Sequence, residues 1–157
     1  MNGFTPGLLD RLLGEHGAAN RNGYGLTLEQ FKDSVARDLE DLLNTRCALP
    51  EEMLRAYPEC ARSIVNYGLI DFAGMCLSSS EDRARICAAL KAAIDRHEPR
   101  LRNVQARLER EPGAINRVRF AISGTLAGTP YPEAVSFDAV LQPSSLHYSI
   151  NRTGRGA

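Results

Sequence analysis

The sequence contains no long apolar run, no secretory signal and no net charge, and each of these absences argues against a class of protein. Its 157 residues carry 19 basic and 19 acidic side chains, so it lacks the basic surplus with which a dedicated nucleic-acid binder contacts phosphates. No apolar stretch approaches the ~18–20 residues that a membrane-spanning helix needs. The N-terminal MNGFTPGLLDRLLG has neither the basic start nor the cleavage site of a secretory signal. We therefore expect a cytoplasmic protein that binds no nucleic acid and inserts into no membrane.

Cysteine and histidine are too scattered along the chain to suggest a metal or redox site. The cysteines are Cys47, Cys60, Cys76 and Cys87, and the histidines are His16, His97 and His147. No C-x-x-C pair occurs, so we expect each cysteine to be a small buried apolar residue. His97 is expected in the core, on the apolar face of a helix. No nucleophile elbow, zinc-binding helix motif or phosphate-binding glycine loop is present, so the sequence predicts no catalytic residue, no cofactor and no metal.

Two amphipathic helices are predicted ahead of a sheet. Thr27 and the glutamine three residues later form a capping box at the start of the first helix, which should end near Asn44. Its apolar stripe consists of Leu28, Phe31, Val35, Leu39 and Leu42. Ser79 or Ser80 caps the second helix. Pro99 ends that helix, because proline has no amide hydrogen and forces the preceding residue out of the helical region.

Beyond the second helix the apolar period changes from about 3.6 residues to 2, which indicates strands. The alternating segments are 103–109, 117–123 and 135–141, with a weaker one at 146–150. We predict an α+β fold in which N-terminal helices pack on a small, three- to four-stranded, largely antiparallel sheet. The predicted organisation is a short helix and flexible linker at 1–26, one α+β domain at 27–150 and a disordered tail at 151–157.

A cluster of leucines stands ahead of the linker. Leu8, Leu9, Leu12 and Leu13 fall on one face of a short helix. An apolar helix on a tether either packs on its own domain or binds a partner, and the residue types leave both alternatives open.

A Glu-Pro-Arg tripeptide, residues 98–100, stands where the helical pattern gives way to the strands. Glu98 lies at a helix C-terminus, which disfavours negative charge, so it needs a cation or a hydrogen-bond donor. Arg100 supplies a planar fork of donors. The tripeptide is therefore either a local ion pair at a stiff corner or a pair of charges directed at a partner. A glycosidase pairing of Glu98 with Asp138 or Glu133 is disfavoured, because a neighbouring arginine favours the charged carboxylate and a general acid must keep its proton.

Four motifs in fixed order point to a known family. They are LLDRL at 8–12, DLEDLLNTR at 38–46, SIVNYGLIDF at 63–72 and HEPRL at 97–101. With the strand pattern that follows, they resemble the GPW-like baseplate wedge family of contractile tails, over roughly residues 5–142. The leucine cluster makes the chain similar to the type VI secretion branch of that family, the TssE subunits, rather than to a phage wedge protein.

The resemblance implies a non-enzymatic structural subunit of a cytoplasmic baseplate at the inner membrane of a Gram-negative bacterium. Glu98, Pro99 and Arg100 would then contact the helical core bundle formed by the wedge subunits TssF and TssG, with Leu8, Leu9 and Leu12 as a second contact. TssK and the sheath subunits are further partners that the resemblance implies, the sheath through addition of a strand to the sheet. A phage-tail or tailocin wedge protein is the alternative, and a peptidoglycan hydrolase is a weaker one. On this interpretation alanine at Glu98 or Arg100 leaves the isolated domain folded and prevents assembly.

Overall fold

The fold consists of short and long helices followed by a four-stranded sheet. The computed structural model describes residues 4–13, 25–72, 74–109, 118–142, 145 and 147–153, without the side chains of Leu9 and Leu13. The helices are α1 (Leu8–Leu13), α2 (Leu28–Asn44), α3 (Glu51–Arg55), α4 (Pro58–Arg62), a 3₁₀ turn (Ile64–Asn66) and α5 (Ser80–His97). The strands are β1 (Leu101–Glu109), β2 (Val118–Leu126), β3 (Glu133–Gln142) and β4 (His147–Arg152). The predicted linker lies outside the described residues.

The predicted helix caps are confirmed. The Thr27 hydroxyl accepts a hydrogen bond from the amide of Gln30, whose side chain accepts one from the Thr27 amide. Ser79 is the residue that caps α5, through the amide of Asp82. Both long helices therefore begin where a side-chain oxygen satisfies amides that have no partner inside the helix.

The sheet is an antiparallel meander in the order β1-β2-β3-β4, which confirms the predicted α+β fold. Helix α5 packs against β1, and α2 packs against β4. Between the helices and the sheet lies one core whose most deeply buried large side chains include Phe137, Leu39, Leu42, Ile86, Leu90, Ile94 and Ile122. The sheet brings the ends of α5 and β1 next to the middle of α2, where the Glu-Pro-Arg tripeptide lies.

Strand β1 departs from strict alternation near its start. Leu101 and Val104 are both buried although they are three residues apart. The register with β2 shifts between Arg102 and Gln105, and Asn103 adopts a positive φ of 54°. Asparagine tolerates this backbone region better than most residues. The bulge therefore returns Val104 to the core face.

Strand β4 ends two residues beyond the predicted domain boundary at 150. Its last residue, Arg152, forms ion pairs with Glu29 and Asp33 on α2. Residues 151 and 152 are therefore strand rather than tail. Residues 154–157 of the predicted tail lie outside the described part of the chain.

The predicted burial of the cysteines is wrong for two of the four. Cys60 and Cys76 are exposed, whereas Cys47 and Cys87 are half-buried. Cys60 lies on the short helix α4, none of whose residues is buried, and Cys76 lies on the connector ahead of α5. No helix in the described residues is long and apolar enough to cross a membrane.

Candidate docking site

Arg100 is held by side chains of its own domain. Its Nε donates to Glu98 at 2.7 Å, its Nη1 donates to Ser34 at 3.0 Å, and its Nη2 donates to both Glu98 and Asp38. Four of its five N–H groups are thus used, and its guanidinium carbon lies 5.8 Å from the centre of the Phe31 ring. Only 3% of Glu98 is exposed. The two charges are therefore a structural link between α2 and the α5–β1 corner.

This geometry contradicts the expectation that either charge can be removed without loss to the isolated domain. A buried carboxylate that loses its only nearby cation is strongly destabilising. Pro99, in contrast, is exposed. Contact of the tripeptide with a partner stays a prediction, and Pro99 is its most exposed residue.

The N-terminal segment packs on the same network and also presents leucines to solvent. Asp10 is 4% exposed and accepts hydrogen bonds from Ser34 and from the amide of Gly7, while Arg37 pairs with it at 2.7 Å. Phe4 stacks on Phe31 with ring centres 4.7 Å apart. Leu8 and Leu12 are 68% and 71% exposed. Of the two alternatives for this segment, the structure shows that it packs on its own domain, with Leu8 and Leu12 facing outward.

A groove of about 710 Å³ runs beside the Glu-Pro-Arg corner. Leu8 of α1 and Ile64 of the 3₁₀ turn both line it, and these side chains are 68% and 76% exposed. Its other lining residues include Asp38, Asp41, Leu42, Tyr67, His97, Glu98, Pro99 and Arg100. Exposed aliphatic side chains beside a groove with charged walls are typical of protein–protein docking sites.

His97 and Tyr67 fix one wall of the groove. The His97 Nε2 lies 3.0 Å from the carbonyl oxygen of Asn66, and its ring meets the Tyr67 ring edge-on. Burial lowers the pKa of His97, which favours the neutral form of its ring. His97, which the sequence predicted in the core, is half-buried and packs against Tyr67. Within the described residues, no group of three histidine, cysteine or acidic side chains is placed to hold a metal ion.

Burial and the neighbouring opposite charges shift the pKa values of Arg100 and Asp38 in opposite directions. Burial opposes the charge of Arg100, but Glu98 and Asp38 outweigh it and raise its pKa. Burial raises the pKa of Asp38 although Arg100 opposes this, and the charge of Glu98 adds to the increase. The guanidinium is thus fully stabilised in its charged form, while the carboxylates around it exceed what one cation neutralises.

The two edges of the sheet differ in what covers them. On β4, the Asn44 side chain donates to the carbonyl of Tyr148 and accepts from its amide, at 2.9 and 2.7 Å. The Glu40 carboxylate accepts from the amide of Ile150 at 2.8 Å. On β1, within the described part of the chain, residues 105–109 make no backbone hydrogen bond to a side chain or to a strand other than β2. The β4 edge is thus closed by α2, whereas no described segment covers the edge of β1 at residues 105–109.

The residues predicted from the sequence make up part of this site, and others were not predicted. Glu98, Pro99, Arg100 and Leu8 lie together at the groove, whereas Leu12 is exposed but does not line it. The side chain of Leu9 lies outside the described residues. Asp10, Ser34, Asp38 and Ile64 were not singled out. A polar residue on the apolar, buried face of α2, as Ser34 is, was the available signal.

Glu98 is poorly placed for acid catalysis. Both of its carboxylate oxygens accept hydrogen bonds from Arg100, and a general acid must hold a proton there instead. Glu133 pairs with Lys32 and Asp138 pairs with Arg119. The carboxylates considered for a glycosidase are therefore all engaged by cations.

The chain was compared with models of protein families, with curated proteins and with solved structures. The family model described as baseplate wedge protein gp25 matches residues 29–131, about two thirds of the chain. The match contains α2 from its second residue, the Glu-Pro-Arg corner, β1 and β2. It leaves out α1 and β3, which lie within the span of residues 5–142 over which the sequence resembles the family. No curated protein and no solved structure matches this chain.

Proposed function

The chain belongs to the family of baseplate wedge protein gp25, and from that membership we propose that it is a non-enzymatic structural subunit of a type VI secretion baseplate. The subunit is cytoplasmic and docks on the helical core bundle of TssF and TssG, near TssK. It also anchors the first ring of the contractile sheath. The alternative is the equivalent role in a contractile phage tail or tailocin.

The groove beside Pro99 is the observation that carries the docking proposal. Leu8 and Ile64 are two of the most exposed large apolar side chains of the described residues, and both line it. The Glu98–Arg100 pair shapes one wall, so the tripeptide acts by building the groove as well as by touching the partner. A hydrophobic contact surrounded by polar groups is the arrangement that concentrates binding energy.

Replacing Ile64 with aspartate is expected to weaken co-purification with a TssF–TssG complex by about 100-fold in affinity, because a charge enters the apolar contact. The isolated domain should keep its melting temperature, because the Ile64 side chain is 76% exposed. Size-exclusion chromatography and titration calorimetry of the reconstituted complex measure both effects.

The matched control is Met53→Asp on α3, an exposed apolar residue that does not line the groove. It should bind like the wild type. If both variants lost affinity equally, or if neither lost affinity, the groove would not be part of the docking site.

The open edge of β1 supports the sheath part of the proposal. A strand with unpaired backbone groups accepts a further strand from another chain, and β4 is closed by Asn44 and Glu40. Adding purified sheath subunits should slow hydrogen exchange of β1 amides by at least about tenfold and leave β4 amides unchanged. Protection confined to β4 would assign the sheath to the other edge.

The choice between a secretion system and a phage tail rests on the N-terminal segment. The short leucine helix packs on the domain through Asp10 and keeps Leu8 and Leu12 exposed, which favours the secretion branch that the leucine cluster resembles. Genes for TssF and TssG beside this one would agree with that choice, and tail-fibre and capsid genes would contradict it.

A further inference from the structure

The groove carries more negative than positive charge. Asp38, Asp41 and Glu98 line it, against Arg100 alone. Asp10 and Arg37, just behind it, pair with each other and leave the balance unchanged. Most of the lining residues belong to the first half of the chain, where residues 1–80 carry 11 acidic and 7 basic side chains.

The guanidinium of Arg100 is largely engaged within the domain and is poorly accessible to a binding partner. Glu98, Asp38 and Ser34 take four of its N–H groups, and its side chain is 18% exposed. Asp41 is exposed at the rim, and among the described residues no cation forms an ion pair with it. The charge that a partner meets first is therefore the Asp41 carboxylate, with Asp38 behind it.

Two neighbouring groups respond to the negative potential. Burial, followed by the charges of Asp41, Asp38 and Glu98, raises the pKa of Tyr67 to about 12. Burial is also the main cause of the raised pKa of Asp38, against the effect of Arg100, and the charge of Glu98 adds to the increase. In both groups the charged, deprotonated form is disfavoured, and a cation bound in the groove would lower both pKa values.

We propose that the occupant of this groove is a basic amphipathic segment of a wedge subunit, with a lysine or arginine against Asp41 and Asp38 and an apolar side chain between Leu8 and Ile64. The inference rests on the proposed docking function and adds the chemistry of the partner. It excludes an acidic segment, which the surplus carboxylates would repel.

Charge variants of Asp41 test the proposal on the whole chain with a TssF–TssG complex as the probe. Asp41→Lys should weaken binding by about 100-fold and Asp41→Asn by about tenfold, because the first repels the cation and the second only stops attracting it. Folding should be unaffected, since Asp41 is exposed near the C-terminal end of α2, where a cation is favourable. Glu52→Lys on α3 is the control with the same change of charge on an exposed residue away from the groove, and it should bind like the wild type.

A pair of synthetic helical peptides separates this inference from the function on which it rests. The peptides share one leucine stripe and carry lysine in one and glutamate in the other, and the lysine peptide should bind at least about tenfold tighter, with the difference lost in Asp41→Lys. Tighter binding of the glutamate peptide, or wild-type affinity of Asp41→Lys for TssF–TssG while Ile64→Asp fails to bind, would overturn the inference and leave the docking function standing. Preference for the lysine peptide without any binding to TssF–TssG would support a basic amphipathic occupant and overturn its assignment to a wedge subunit, and with it the proposed docking function.

Discussion

Replacing Arg100 with methionine is expected to lower the free energy of unfolding by about 3–5 kcal/mol, a large part of the ~5–15 kcal/mol of a typical domain. Methionine occupies a similar volume but leaves Glu98, which is 3% exposed, as a buried carboxylate without its cation. It also breaks the hydrogen bonds to Ser34 and Asp38 that connect the corner to α2. Urea unfolding of the isolated chain measures the loss.

Two further variants show whether the loss comes from the buried network. Arg102→Met removes an exposed arginine two residues away and should change stability by no more than about 0.5 kcal/mol. The double variant Glu98→Gln with Arg100→Met should regain a substantial part of the loss, because no charge is then left alone at position 98. A loss below about 1 kcal/mol in Arg100→Met would show that the network is an ordinary surface ion pair.

Gly68→Ala is the second substitution with a large expected effect, a loss of about 3 kcal/mol in the free energy of unfolding. Gly68 has a φ of 117°, which side chains other than hydrogen rarely adopt. An added Cβ would lie 2.5 Å from the carbonyl oxygen of Thr45 and 2.9 Å from the amide of Cys47. Backbone atoms on both sides cannot move without opening the bridge between Arg46 and Leu69.

Gly128→Ala is the matched control for this prediction. Gly128 also has a positive φ, 85°, but an added Cβ would meet nothing within 4 Å. Its cost should be about 1 kcal/mol, from the backbone alone. Similar losses in both variants, by thermal or urea unfolding, would show that the contact with Thr45 and Cys47 relaxes freely.

Local signals allowed the regular elements to be predicted from the sequence. The boundaries of α2 and α5 follow from Thr27, Ser79 and Pro99, because caps and breakers act within a turn of the residue that carries them. The core faces of β2 and β3 follow from strict alternation. The end of β4 at Arg152 was missed because it depends on ion pairs with α2, more than a hundred residues earlier.

The sequence allowed the residues at the Glu-Pro-Arg corner to be predicted, but not whether their side chains face the domain or the solvent. The tripeptide at 98–100 indicates a charged corner, and the sequence left open whether its charges face inward or outward. Ser34 and Asp38, which turn Arg100 inward, are separated from it by 66 and 62 residues, so no local pattern connects them. The same holds for Asp10, a charged residue on a leucine-rich helix that is nevertheless buried.

These contacts change the role assigned to the Glu-Pro-Arg element. Glu98 and Arg100 hold α2, the N-terminal segment and the α5–β1 corner together, and Pro99 remains at the surface. The groove that they build has apolar side chains on two sides and a negative rim. We infer that loss of assembly in variants of Glu98 or Arg100 would report on folding first, so variants at the groove surface are the ones that report on docking.

A cryo-electron microscopy reconstruction of the chain bound to TssF and TssG tests the central claim most directly. We expect a helical segment of the core bundle to lie in the groove, with an apolar side chain between Leu8 and Ile64. A basic side chain of that segment should lie within about 4 Å of Asp41. A reconstruction in which this groove faces solvent, and the bundle contacts the outer face of the sheet instead, would contradict it.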